Sequence, residues 1–114
     1  MLKVSSRDNP LLRQARAVRD GKIDDLIFVE GLRLAEEALH SGLEIDAVIY
    51  SDEIADKERA ARFLGAVAIV CNRLAAVSEK LLTTISFTKT PQGIILLAKR
   101  PESGKTQLEI SEGR

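Results

Sequence analysis

The chain has 114 residues, the usual size of one domain, and its 45% apolar residues suffice for one hydrophobic core. One cysteine cannot form an internal disulfide, and no cluster of cysteine and histidine offers zinc ligands. No apolar run approaches the roughly 20 residues of a membrane span, and no signal peptide is expected at the amino end. We therefore expect a small soluble domain of the cytoplasm that binds neither a metal nor a membrane.

The charges are unevenly distributed, although 17 basic and 17 acidic side chains cancel. Residues 1–22 carry a net charge of +4, residues 23–64 carry −7 and residues 65–114 carry +3. A basic amino end on an acidic body predicts a directed electrostatic face that could meet a polyanion.

Helices and strands are predicted to alternate along the chain. The first helix begins at Pro10, because Asn9 can accept hydrogen bonds from free backbone N–H groups and proline fits the first helical position. Gly21 ends it. Further strands are predicted over residues 26–29, 45–50, 67–71 and 94–98, and further helices over residues 32–39, 54–64 and 74–82. This order indicates an α/β domain with a largely parallel sheet that helices cover on both faces.

The composition changes after residue 100. Residues 101–114 are rich in Glu, Ser, Gly, Lys and Thr, with only two isolated aliphatic side chains. We interpret residues 1–100 as the folded domain and residues 101–114 as a linker toward something that follows.

Few residues could support catalysis. His40, the only histidine, lies near the end of a predicted helix, where a partial positive charge is favoured in any case. Cys71 ends an apolar run, where a free cysteine is usually a small buried side chain. The acidic pairs are adjacent in sequence, so their side chains point in different directions. We therefore predict no catalytic residue in this chain.

Nucleic-acid binding has better support. Arg13 and Arg16 share the outer face of the first predicted helix and Arg7 precedes it, an arrangement that suits either phosphate contacts or a solvated surface. The predicted loop over residues 86–93 combines hydroxyls, an amide, a cation and an aromatic ring. Such groups can bond ribose hydroxyls and base edges, and Phe87 could stack on a base or anchor the loop in the core.

Three segments carry a family resemblance. Residues 5–13 (SSRDNPLLR), 28–39 (FVEGLRLAEEAL) and 88–94 (TKTPQGI) occur in that order. Together they resemble the amino-terminal substrate-binding domain of the SpoU/TrmH-type RNA 2′-O-ribose methyltransferases, which belong to the SPOUT superfamily. The similarity covers roughly residues 3–100.

The resemblance implies a three-layer α/β/α sandwich, similar to that of ribosomal and kink-turn-binding RNA proteins. It implies that this domain binds RNA and presents it to a catalytic SPOUT domain outside this chain. That second domain would bind S-adenosylmethionine and form the homodimer of the full-length enzyme, whereas this segment itself would hold no cofactor.

The resemblance and the basic helix together give the candidate RNA-binding residues. The turn at Glu30 and Gly31 with Arg33 matches one signature segment, and the loop over residues 88–93 matches another. Whether Glu30 contacts RNA or only ties the turn is left open. The full set is Arg7, Asn9, Arg13, Arg16, Glu30, Gly31, Arg33, Thr88, Thr90, Pro91, Gln92 and Gly93.

The sequence thus predicts a non-catalytic RNA-binding module of an RNA ribose methyltransferase. Ribosomal RNA is the expected target, with transfer RNA as an alternative. Two rival functions remain: a stand-alone kink-turn-type RNA-binding protein, and a protein-interaction domain whose basic helix is ordinary surface.

Overall fold

The computed structural model describes residues 2–3, 5–88 and 92–101, with side chains for residues 5–88 and 92–101. Its strands are β1 (Leu2–Lys3), β2 (Leu26–Glu30), β3 (Ile45–Ser51), β4 (Leu74–Val77) and β5 (Ile94–Lys99). Its helices are α1 (Pro10–Arg19), α2 (Leu32–His40), α3 (Glu58–Val70) and α4 (Glu79–Thr83). None of the helices in this part of the chain is long and apolar enough to cross a membrane.

The strands form one mixed sheet in the order β1-β4-β3-β5-β2. β4 pairs in parallel with β1 and β3, whereas β5 pairs antiparallel with both β3 and β2. The prediction of a largely parallel sheet is therefore wrong for β5. Among the described residues between β4 and β5, the structure has only the short helix α4. Because β4 is parallel and β5 antiparallel to β3, β5 starts at the end of the sheet where β4 stops.

Helices cover both faces of this sheet, which confirms the predicted three-layer sandwich. On one face, α1 and α4 pack Leu12 and Leu82 against a cluster that includes Ile95. On the other face, α2 and α3 pack Ala35 and Phe63 into a second cluster. Residues 94–98 of β5 are all buried, as expected for a strand that lies between two others and under helices on both faces.

Two predicted elements are wrong. Residues 67–71, predicted as a strand, mostly belong to α3, and residues 74–82, predicted as a single helix, contain the strand β4 followed by most of the short helix α4. The remaining predicted helices and strands are present with boundaries shifted by a few residues, and β1 was not predicted. A short apolar run does not distinguish a strand from a helix by periodicity, which explains the exchange.

Candidate functional site

The carboxylate of Glu30 lies at the end of the edge strand β2 and binds the loop that follows α4. It accepts hydrogen bonds from the Ser86 hydroxyl, from the backbone N–H of Phe87 at 3.0 Å and from the backbone N–H of Gln92 at 3.4 Å. The Ser86 oxygen in turn accepts from the backbone N–H of Thr88 at 3.1 Å. These donors lie more than fifty residues away in sequence, and Ser86 and Gln92 stand near opposite ends of the loop. One side chain therefore fixes both ends. Glu30 therefore ties the loop to the sheet.

Two glycines shape the turn around this carboxylate. Gly31 begins α2 with a φ of 109°, and its N–H donates to the carbonyl of Ile94 at 2.9 Å. Gly93 has a φ of 88°, and its carbonyl accepts from Ser51 at 2.9 Å. A Cβ atom on Gly93 would lie 2.8 Å from Cγ2 of Ile54, so both the backbone conformation and the space require glycine there.

An open groove of about 620 Å³ lies beside the Glu30 carboxylate, between β2, α2 and the loop. Phe87 is 62% exposed on its rim and meets Phe28 edge to face, with ring centroids 4.8 Å apart. Leu34, 53% exposed, lines the groove from α2, and Glu37 adds a second acidic side chain. None of the described residues that line this groove is a lysine or arginine. The groove therefore suits an uncharged planar or apolar group better than a phosphate.

The arginines of α1 divide into exposed and hydrogen-bonded side chains. Arg13 is exposed, whereas Arg16 is partly buried and donates to the carbonyl of Arg7 at 2.8 Å. Arg19 donates to the carbonyl of Thr84 at 3.1 Å and to Asp20. The hydrogen bond from Arg19 lowers the pKa of the Asp20 carboxyl below its ordinary value. Only some of these arginines thus face solvent.

Asn9 has a structural role at the start of the same helix. Its Oδ1 accepts from the backbone N–H of Leu11 at 2.8 Å, so Asn9 caps α1 and Pro10 takes the first helical position as predicted.

The structure therefore groups some of the predicted site residues and separates others. Around the carboxyl end of β2 it brings together Glu30, Gly31, Thr88, Gln92 and Gly93. The residues of α1 and its approach, namely Arg7, Asn9, Arg13 and Arg16, belong to one face of the sheet. Arg33 is exposed on α2, which covers the other face, and its Nε lies 3.8 Å from Glu37. Thr90 and Pro91 lie outside the described residues.

Sequence reasoning missed two groove residues, Phe28 and Leu34. Phe28 lies in the predicted strand over residues 26–29, and the sequence does not reveal that β2 is an edge strand whose side chains after Leu26 are only partly covered. For Leu34 the sequence holds one signal: it lies next to Arg33 and three residues before Glu37 in the predicted helix, so it is placed among charged residues, and the structure leaves it exposed.

The described residues contain no group of three or more His, Cys, Asp or Glu side chains that could hold a metal ion. His40 is exposed and Cys71 is buried. Neither residue lines the groove beside Glu30.

Comparison with known proteins gives one family and a set of similar structures. A family model described as the MRM3-like substrate binding domain matches residues 9–96. The crystal structure of an rRNA methyltransferase from Sinorhizobium meliloti is similar, with a TM-score of 0.71 and 23% identity, over 87% of this chain and 37% of that one. A crystal structure of an RNA 2′-O ribose methyltransferase gives a TM-score of 0.67 and 28% identity, over 89% of this chain and 38% of that one.

This chain thus spans less than two fifths of the length of those two structures. The likeness to the Sinorhizobium meliloti protein shows the fold. No curated protein sequence matches the chain significantly.

Proposed function

Because the chain belongs to the MRM3-like substrate-binding domain family, we propose that it binds RNA as the substrate-recognition part of an RNA 2′-O-ribose methyltransferase. The family match includes the segments around Glu30 and Gly93, so the predicted family resemblance is confirmed. The target we propose is ribosomal RNA, in keeping with what the structurally similar protein from Sinorhizobium meliloti is called.

The observation that carries this proposal is the loop held by Glu30. With three donors bound to one carboxylate, Ser86, Phe87 and Gln92 are held in place and the Phe87 ring is presented outward. An exposed aromatic ring beside a shallow apolar groove is suited to stacking on an unpaired base, a mode of recognition common among RNA-binding domains. The acidic rim disfavours phosphate there and favours a neutral base.

Phosphate contacts would come from a different surface. Arg13 is exposed on α1 and Arg7 is exposed just before the helix. Each such contact adds affinity that falls with salt concentration and carries no sequence information. We propose that α1 supplies this general attraction while the groove selects unpaired nucleotides.

Binding of the 114-residue chain to an RNA hairpin and to an RNA duplex of equal length tests this division. Phe87→Ala should weaken hairpin binding about 10-fold or more, with little change for the duplex, because base stacking on an aromatic is lost. Ile69→Ala, which truncates an exposed apolar side chain on α3, is the matched control and should change neither affinity. Equal losses for hairpin and duplex after Phe87→Ala would contradict a base-binding groove.

A protein-interaction domain is a second candidate function, because the groove is apolar and acidic and its described lining holds no lysine or arginine. Such a groove would also suit a basic amphipathic peptide. Hairpin affinity that is unaffected by both Phe87→Ala and Arg13→Glu would favour this second function.

We place the methyl donor, S-adenosylmethionine, outside residues 1–114. The described glycines with a positive φ, namely Gly21, Gly31, Gly42 and Gly93, do not form a glycine-rich loop, so these residues do not fit a cofactor cradle. Calorimetry with S-adenosylmethionine should therefore detect no binding to this chain. Micromolar affinity would show that the cofactor site lies within it.

A further inference from the structure

The strand β2 has an outer edge that pairs with no other strand among the described residues, because β2 lies at the end of the sheet beside β5. Two hydrogen bonds that flank the β2–β5 pair show which backbone groups face inward. At one end, the N–H of Gly31 donates to the carbonyl of Ile94 at 2.9 Å. At the other end, the N–H of Arg100 donates to the carbonyl of Asp25 at 2.9 Å.

The outward backbone groups of β2 follow from this register. Along an antiparallel pair, residues alternate between bonding the partner strand and pointing away from it. Since residues 25 and 31 bond to the β5 side, the odd-numbered residues of β2 face inward, and the N–H and C=O of Leu26, Phe28 and Glu30 face the free edge. No hydrogen bond joins these outward backbone groups to another described residue. Each outward residue therefore offers a hydrogen-bond donor beside an acceptor.

The groove beside Glu30 passes over this free edge. Consecutive side chains of a strand point to opposite faces of the sheet. Phe28 packs against the cluster under α1 and α4, whereas Val29 packs against the cluster under α2 and α3. Both line the groove, together with Phe87 beside Phe28 and Leu34 of α2. A groove that is lined from both faces crosses the strand edge between them, where the backbone N–H and C=O of Phe28 point outward.

We propose that the outward N–H and C=O of Phe28 bind the Watson–Crick edge of an unpaired base that stacks on Phe87. This inference rests on the proposed function and adds how the groove excludes paired bases. Every RNA base carries a donor beside an acceptor on its Watson–Crick edge, and only unpaired RNA leaves that edge exposed. The backbone pair therefore distinguishes unpaired from paired RNA and does not select one base over another.

The extent of the exposed edge favours a base over an added peptide strand. Strand addition uses the outward groups along the whole edge. Leu26, the outward residue before Phe28, does not line the groove and is only 6% exposed. The groove thus contains the outward groups of Phe28 and Glu30 alone among those of β2, which is sufficient for one base but short for a strand.

Hairpins with modified loops test the proposal on the native 114-residue chain. One hairpin has a loop of uridines, a second carries 3-methyluridine at every loop position, and a third carries 5-methyluridine there. A methyl group on N3 removes the donor of the Watson–Crick edge, whereas a methyl group on C5 leaves that edge intact and is the matched control. We expect 3-methyluridine to weaken binding about 10-fold and 5-methyluridine to change it little, because the Phe28 carbonyl would be covered without a donor.

Two substitutions at position 28 give an independent readout. Phe28→Leu keeps the outward N–H and loses the ring, whereas Phe28→Pro loses both. Proline is tolerated on an edge strand where the N–H faces solvent, and thermal unfolding checks that both variants fold. Phe28→Pro should bind the uridine hairpin about 5-fold more weakly than Phe28→Leu, because it alone lacks the donor to the base. Equal affinities of the two folded variants would contradict a role for this N–H.

The hairpin series separates failure of this inference from failure of the proposed function. Equal binding of the two methylated hairpins, by a chain that still prefers a hairpin to a duplex and depends on Phe87 for that preference, would overturn only the inference. The free edge would then be available to a different partner, such as an added peptide strand. A native chain that binds hairpin and duplex equally would overturn the proposed function and this inference with it.

Discussion

The loop at Glu30 and the helix α1 use charged side chains in opposite ways. At the loop, the carboxylate points inward to backbone and hydroxyl donors, and the groups left facing the groove are largely apolar. On α1, Arg16 and Arg19 bind backbone carbonyls, whereas Arg13 extends into solvent. A charged residue in a binding region thus either holds the fold or meets the partner, and its contacts decide which. At the loop, the charge of Glu30 holds the fold, whereas the arginines of α1 are divided between the two roles.

The largest expected effect on the free energy of unfolding is at Gly93, at the end of the loop that binds Glu30. Gly93→Ala should lower the free energy of unfolding by about 3 kcal/mol, because it adds left-handed backbone strain to an overlap with Ile54. Gly21→Ala, after the end of α1, has a similar φ but open space, so it should cost only about 1 kcal/mol. Urea denaturation of both variants measures the difference. Equal losses would mean that Ile54 moves aside freely.

Glu30→Ala should have the next largest effect. Removal of the carboxylate leaves three donors without their shared acceptor, so we expect a loss of about 2 kcal/mol in unfolding free energy and weaker hairpin binding. Glu37→Ala, an exposed carboxylate on the same groove, should leave stability almost unchanged. A stable Glu30→Ala protein with reduced RNA affinity would instead indicate that Glu30 contacts RNA directly.

Substitution of two arginines of α1 should distinguish an arginine that stabilises the fold from one that is exposed for RNA binding. Arg16→Ala should lower stability by about 1 kcal/mol, because the bond to the Arg7 carbonyl is lost. Arg13→Ala should leave stability unchanged but reduce the salt slope of RNA binding by about one unit. Thermal unfolding and RNA titrations at several salt concentrations measure the two effects. The same result for both variants would remove the distinction drawn for this helix.

The smallest effect is expected at Asp20. Its pKa is lowered in the folded state by the hydrogen bond from Arg19, so this carboxylate stabilises the fold at neutral pH. That contribution is lost as the pH falls through the lowered pKa, when Asp20 becomes protonated. Asp20→Asn should therefore show a slightly weaker acid destabilisation than the native chain in unfolding curves measured between about pH 5 and about pH 2. Identical acid profiles would show that this bond contributes nothing.

The sequence predicted the layers of the fold and most of its elements because their signals are local. Asn9 and Pro10 mark the start of α1 with their own chemistry, and the structure places the helix there. The error at residues 67–71 has a physical cause: the exposed positions in the second half of α3 carry no polar side chain, so the periodicity that marks a helix is missing there. Ser78, which caps α4 by accepting from Leu81, was the overlooked signal that β4 had already ended.

The sequence predicted which residues belong to the candidate site but not how they are arranged. The residues around Glu30 and Gly93 could be singled out, but their arrangement depends on contacts between distant segments. Whether Glu30 faces its loop or a ligand follows from the donors at Ser86, Phe87 and Gln92, which no local pattern reveals. In the same way, the bond from Arg16 to the Arg7 carbonyl depends on the path of the chain before α1.

The position of β5 has a consequence for the order of folding. This strand comes last among the described strands in the chain, yet it lies between β3 and β2 and forms all of the sheet contacts of β2. A growing polypeptide that has not yet emerged from the ribosome as far as Lys99 leaves β2 without a neighbour, so the sheet closes only near the end of synthesis of the domain. Such long-range pairing slows folding and leaves an open edge until it is complete. We therefore expect the hydrogen bonds from Ser86, Phe87 and Gln92 to Glu30 to form late in folding, after β5 has joined β2.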